Sequence, residues 1–170
     1  MLRLMGAALL TAGTAALGLG AVGRLDGRVR DLRELLAGVE LLQRELGWRL
    51  AALPEGLELA AGTAEGRTAR FFRLCAEGAR HLNGRTFQQV WQEGLDECRF
   101  RLDAGDRELL EQLGSVLGRY DGDSQRQALE GAAARLERRQ VQAAEERRRL
   151  GRVYGVLGMT AGLFLVILLI

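Results

Sequence analysis

Apolar residues recur at helical spacing through most of the chain, and this periodicity predicts helices rather than half-buried strands. Val29, Leu32, Leu36, Val39, Leu42, Leu46 and Leu50 form one stripe, which predicts a helix over 28–52 halted by Pro54. Pro54 suits the first turn of a short second helix, with Leu57 and Ala60 inward and Gly62 to Gly66 ending it. A third helix over 67–81 offers Phe72, Cys75, Ala79 and Leu82 to a core and stops at Asn83-Gly84. Thr86 followed by Gln89 is a capping box, and it opens a fourth helix presenting Phe87, Val90, Trp91, Leu95, Cys98 and Leu102. Asp103-Ala104-Gly105 interrupts the pattern, and a fifth helix over 106–118 presents Leu109, Leu110, Leu113, Val116 and Leu117. The sixth opens at Asp123 or Ser124 and continues through an arginine cluster toward the C-terminus.

The two ends follow a different rule. No charged side chain occurs between Leu4 and Val22, nor between Val153 and Ile170. A helix crosses a hydrocarbon core of about 30 Å with about 20 apolar residues, so both runs qualify as spans. The first is diluted by Gly6, Gly13, Gly18 and Gly20, which leaves a cleaved signal peptide as the alternative reading of that run. Arg24, Arg28, Arg30 and Arg33 follow it, and Arg147, Arg148, Arg149 and Arg152 precede the second, against Arg3 alone at the outer N-terminus. By the positive-inside rule the middle segment is cytoplasmic. The organisation expected is therefore an all-α chain: a transmembrane helix over 1–23, an antiparallel six-helix bundle over 24–152, and a second transmembrane helix over 153–170. An even number of antiparallel helices returns the chain to the end where it began, as two tethers on one membrane require. Connections at Leu53-Pro54, Asn83 to Arg85 and Arg119 to Asp123 then lie at the distal tip. Those at Gly62 to Gly66 and Asp103 to Gly105 face the bilayer.

Composition supports the fold class and narrows the chemistry. The 170 residues contain 24 basic side chains, all Arg, balanced by 22 acids for a net charge of +2, so bulk charge gives no support for nucleic-acid binding. Leu, Ala, Arg, Glu and Gln are plentiful, which is a palette of helix formers. His81 is the single His and Ser115 and Ser124 are the two Ser, so a nucleophile activated by His has little to draw on. Ser124 reads as a residue that opens the last helix. No Lys is present for a phosphate-binding GxxxxGK loop, and no paired-Cys spacing points to zinc; neither a cofactor nor a metal site is expected. Cys75 and Cys98 fall on apolar faces and read as buried, unpaired thiols. The chain does not read as an enzyme.

Surfaces remain. Arg24, Arg28, Arg147, Arg148, Arg149 and Arg152 are candidate lipid-binding residues, each worth about 1 kcal/mol against anionic headgroups. The alternative is that they only set insertion topology. Ala8, Ala12, Ala16 and Gly20, and Gly158 with Gly162, make small-residue faces that allow close packing between the two spans or with a second copy.

Three blocks carry a family likeness. Leu41-Leu42-Gln43-Arg44-Glu45-Leu46-Gly47-Trp48 followed by Leu53-Pro54-Glu55, then Leu113-Gly114 and Leu117-Gly118 with Asp121 and Gln125, and finally Tyr154-Gly155-Val156-Leu157-Gly158, resemble the stage III sporulation protein AB family. The likeness covers nearly the full chain, although Arg44, Ala51 and Ala52 stand where Thr, Thr and Pro would be expected. It implies a helical bundle related to the cytoplasmic domains of type II secretion platform proteins. It also implies a place in the channel-like complex between mother cell and forespore, on the mother-cell side, with other subunits of that complex and a secretion-type ATPase as partners. Both soluble blocks map to the distal tip, which makes Glu45, Trp48, Pro54, Arg119, Tyr120, Asp121 and Gln125 candidate partner-binding residues. The alternative has Glu45 and Gln125 satisfying caps and turn amides while Trp48 packs in the core. A second function class, an anionic-lipid-binding or membrane-shaping helical protein, uses the arginine collar as its working surface.

Overall fold

The structure, a computed structural model, describes the backbone of residues 2–47, 49, 51–118 and 122–169, and the side chains of these apart from 2–22, 152, 154–159 and 161–169. Among the described residues there are six helices and no strand: α1 (Leu2–Gly47), α2 (Leu53–Thr63), α3 (Gly66–Arg80), α4 (Phe87–Cys98), α5 (Ala104–Leu117) and α6 (Gly122–Leu169). The all-α expectation holds. The sequence placed a boundary near residue 23 between a flanking helix and the first bundle helix, but the backbone is helical straight through it, and Gly20, Gly23 and Gly27 do not interrupt α1. Likewise α6 passes through the arginine cluster without a break. Among the described residues no helix is long and apolar enough to cross a membrane. Of the stretches 1–23 and 153–170 read as spans, only Gly23, Val153 and Thr160 are among the residues with described side-chain environments.

The chain divides into two compact units, Met1–Gly27 with Gln142–Ile170, and Arg28–Val141. In the first, Arg147 pairs with Asp26 and Ala143 is buried. The second has one core fed by all six helices. Leu32, Leu35, Val39 and Leu42 of α1, Leu57 of α2, Phe71 and Phe72 of α3, Trp91 of α4, Leu110 and Leu117 of α5, and Leu129 and Leu136 of α6 are all fully buried. Phe71 sits at its centre, edge-on to Trp91 at 4.7 Å and to Phe100 at 5.5 Å. Edge-to-face rings align the positive edge of one with the negative face of the next and add directionality to burial. Cys75 and Cys98 are free and buried, and burial pushes both thiols upward in pKa. For Cys75 the neighbouring Cys98 adds to the rise.

The ends of the helices follow local chemistry. Thr86 Oγ1 accepts from the Gln89 amide at 3.3 Å while Gln89 Oε1 accepts from the Thr86 amide at 2.8 Å, so the capping box read from the sequence is complete. Asn83 and Gly84 both take positive φ, 47° and 82°, and the Arg85 amide donates to Leu82 O at 2.8 Å. That is a type I′ turn, and Asn-Gly is its preferred pair. Because α3 has already ended at Arg80, Leu82 is exposed rather than part of the core. Pro54 lies in the first turn of α2 as expected. α1 ends at Gly47 rather than near Ala52, and the Ala51 amide turns back to donate to Glu45 O at 3.0 Å. α4 ends at Cys98, so Leu102 lies beyond it; Arg99 takes a left-handed conformation, φ 47° and ψ 55°.

Candidate functional site

Charged side chains mark one end of the 28–141 unit. Arg28, the first residue of the unit, donates from Nε to Asp106 Oδ2 at 2.7 Å and from Nη2 to Asp106 Oδ1 at 3.2 Å and Asp103 Oδ2 at 2.5 Å. Asp106 is completely buried. Asp103 caps α5 through its Oδ1, which accepts from the Asp106 amide at 2.7 Å, and Asp106 Oδ2 accepts in return from the Asp103 amide at 3.2 Å. Arg139 of α6 lies against the same pair, 3.7 Å from Asp103 and 3.8 Å from Asp106. A few residues along, the buried Asp31 accepts from the Arg101 amide at 2.7 Å and pairs with Arg67 at 3.5 Å. Arg67 also donates to Arg99 O at 3.0 Å. The start of α1 in this unit, the starts of α3 and α5, the end of α4 and the last turns of α6 before Val141 thus meet at one end, called proximal below.

The sequence placed Arg28 in a lipid-facing collar; the structure instead turns its guanidinium inward, 15% exposed, onto a buried carboxylate. Of the other collar residues, Arg24, Arg148 and Arg149 are exposed, Arg147 is paired with Asp26, and the side chain of Arg152 lies outside those described. The Arg28–Asp106 pair was missed because α5 was read as starting at Asp106. Asp103-x-x-Asp106 ahead of the Leu109-Leu110-Leu113 stripe was the available signal, with Asp in place of the usual Glu or Gln at the third position.

Asp103 gives the proximal end a pH dependence. Partial burial pushes its carboxyl up, but the Asp106 amide, Arg28 and Arg139 outweigh this and hold it below the ordinary carboxylate value. A folded-state pKa below the unfolded one means stability that is complete above about pH 4 and is lost as pH falls through the folded value. Denaturant melts should therefore show stability falling below about pH 4, and Asp103→Asn should make that fall shallower across the same window. An unchanged slope would mean that Asp103 is not linked to folding.

The distal end gathers the described parts of the candidate partner groove. A methyl group on Gly47 would stand 3.1 Å from Arg126 Cγ, so the end of α1 lies against the start of α6. Gln125 Nε2 donates to Leu117 O at 2.8 Å and ties α6 to the end of α5. Pro54 is half-buried. Glu45 is buried, 3.5 Å from Arg49 one turn on, and offers little surface to a partner. Gln125 thus satisfies a terminal carbonyl of α5. Trp48, Arg119, Tyr120 and Asp121 lie outside the described residues.

Comparison with known proteins supplies the family. The family model for stage III sporulation protein AB matches residues 3–170. Stage III sporulation protein AB of Bacillus subtilis (strain 168) is 24% identical over 171 residues, with 99% of each chain covered. A solved structure of stage III sporulation protein AB superposes with a TM-score of 0.65 at 21% identity, covering 72% of this chain and 98% of its own. That structural likeness concerns the fold, whereas the family model spans almost every residue, and the chain belongs to the stage III sporulation protein AB family.

Proposed function

We propose that this sporulation protein is a non-enzymatic platform subunit, anchored by its two uncharged end runs, that docks a secretion-type ATPase at the distal end of the 28–141 unit. In this reading the unit is cytoplasmic, on the mother-cell side of the membrane, and works with other subunits of a secretion-like sporulation complex. The observation that supports it is the meeting of Arg28 and Arg139 on the same two carboxylates. The first residue of the 28–141 unit and a residue two before its last share one end of that unit, and the opposite end is the one this reading offers to partners. Chemistry for catalysis is sparse: His81 is exposed at a helix end, and both thiols are buried with their pKa values pushed up.

Charge reversal tests the docking end. Arg119→Glu and Asp121→Arg, made separately in the full chain, should each lower co-purification of the complex's secretion-type ATPase from detergent-solubilised membranes about tenfold, equivalent to about 1.4 kcal/mol. The melting temperature should stay within about 2 °C. Unchanged capture with both variants folded would sink the docking assignment.

A further inference from the structure

We infer that Cys75 and Cys98 form a redox pair: a peroxide joins their sulfurs across the α3–α4 hairpin and locks the hairpin at its open end. Both residues lie within the 28–141 unit, so the pair acts independently of any membrane or docking partner. One end of the hairpin is closed by the Asn83-Gly84 turn. At the other, Arg70 pairs with Glu97, and Arg67 donates to Arg99 O at 3.0 Å. The thiols are free, Cys75 fully buried and Cys98 7% exposed.

Close packing of the two helices brings the sulfurs together. A methyl group on Gly78 would stand 2.3 Å from Val90 Cγ1, and one on Gly94 would stand 3.1 Å from Phe71 Cδ2 and 3.4 Å from Cys75 Sγ. The Cys75 sulfur thus packs against α4 at Gly94, one helical turn before Cys98. Residues four apart on a helix share a face with Cβ atoms about 5–6 Å apart, and helical side chains lean toward the N-terminus, which tilts Cys98 back toward Gly94. Burial raises the pKa of Cys75, and the charge of Cys98 adds to the rise, as expected of neighbouring thiols. A disulfide needs Cβ atoms about 3.8 Å apart, so the last turn of α4 must draw inward. Cys98 is placed to do so, because it ends α4 and Arg99 beyond it is already left-handed.

Exposure sets the order of reaction. Burial raises the pKa of Cys98, Arg70 draws it back, Glu97 adds to the rise and Arg67 draws it back again, whereas burial and the Cys98 charge both push Cys75 up. Cys98 therefore reacts first. Its thiolate, the proton lost to solvent, attacks one peroxide oxygen; the O–O bond breaks, and the departing hydroxide takes up a proton to become water. The sulfur of Cys75 then attacks the sulfenic sulfur of Cys98, the S–O bond breaks, and the oxygen leaves as a second water carrying the Cys75 proton. Two thiols become one disulfide as one peroxide is reduced to two waters.

Full-length, reduced protein in detergent, given about a tenfold molar excess of hydrogen peroxide at neutral pH, tests the pair. Most chains should lose both alkylatable thiols, and trypsin should release the peptides 74–80 and 86–99 joined until a reductant is added. The linked form should melt about 5 °C higher, since the bridge restricts the unfolded chain. Cys75→Ala should leave Cys98 as a sulfenic acid, labelled by dimedone at least about tenfold more than Cys75 is in Cys98→Ala. The wild-type linkage needs no variant and stands even where an alanine chain misfolds. Thiols that stay alkylatable, linkage only in urea, or linkage mainly between two chains would each overturn the pair. A linked form that melts no higher than the reduced one overturns the lock.

Discussion

Arg28→Met should destabilise the folded chain by about 3 kcal/mol, because it leaves the Asp106 carboxylate buried without its guanidinium. Among the described residues Asp106 keeps the Asp103 amide at 3.2 Å and the more distant Arg139 at 3.8 Å. A buried pair of this kind adds little over a well-packed apolar pair, yet removing one partner is severe, since the remaining charge has lost both water and its counter-ion. Arg28→Lys should recover roughly half the loss, as an ammonium supplies the charge but not the two-pronged geometry toward Asp106. Adding Asp106→Asn to Arg28→Met should recover about 1–2 kcal/mol, because it removes the orphaned charge while an amide oxygen remains for the cap. The measurement is chemical denaturation of the full chain in detergent at neutral pH. A loss below about 0.5 kcal/mol for Arg28→Met would show that water reaches Asp106 and that the proximal end is loosely packed.

Much of this architecture could be read from periodicity, and the failures have physical causes. The stripe from Val29 to Leu46 and the apolar face of α4 are buried as the 3.6-residue period requires. The Thr86–Gln89 box and the Asn83-Gly84 turn are local devices, and they form as their sequences dictate. The left-handed stop at Arg99 could not be read, because no glycine marks it and the hydrogen bond from Arg67 to its carbonyl comes from a helix more than thirty residues earlier. The same limit applies to Arg28. Sequence neighbours place it with the other juxtamembrane arginines, and only the fold brings it to Asp106, 78 residues away. Of the connections that parity sorted together, at Gly62 to Gly66 and Asp103 to Gly105, Asp103 of the second pairs with Arg28, and Arg67, just past the first, pairs with Asp31, so both lie near the start of α1 in this unit. The distal residues are mixed. Glu45 and Gln125 make contacts within their own chain, Pro54 is half-buried, and Trp48, Arg119, Tyr120 and Asp121 lie outside the described residues.

Glycine substitutions should separate packing from propensity in one pair of measurements. Gly131 lies within α6 with no atom close enough to meet an added methyl group, so Gly131→Ala should stabilise by about 1 kcal/mol through helix propensity. Gly114 lies within α5, where the same propensity gain applies, but a methyl group there would stand 2.3 Å from Trp91 Cδ1 and 2.5 Å from Cγ. The indole has no room to withdraw. It is fully buried, stands edge-on to Phe71, and its Nε1 donates to Leu110 O at 2.8 Å. Gly114→Ala must therefore displace a locked ring and lengthen its hydrogen bond, at a net cost of about 2–3 kcal/mol after the propensity gain. That corresponds to a fall in Tm of order 10 °C, against a rise of about 3–5 °C for Gly131→Ala. Trp91→Phe in the Gly114→Ala background should return about 1 kcal/mol, because the smaller ring clears the methyl group and has no indole N–H to leave unpaired. If Gly114→Ala instead stabilises like Gly131→Ala, then α4 and α5 are not in contact at Trp91, and the core built around Phe71 is wrong at that layer.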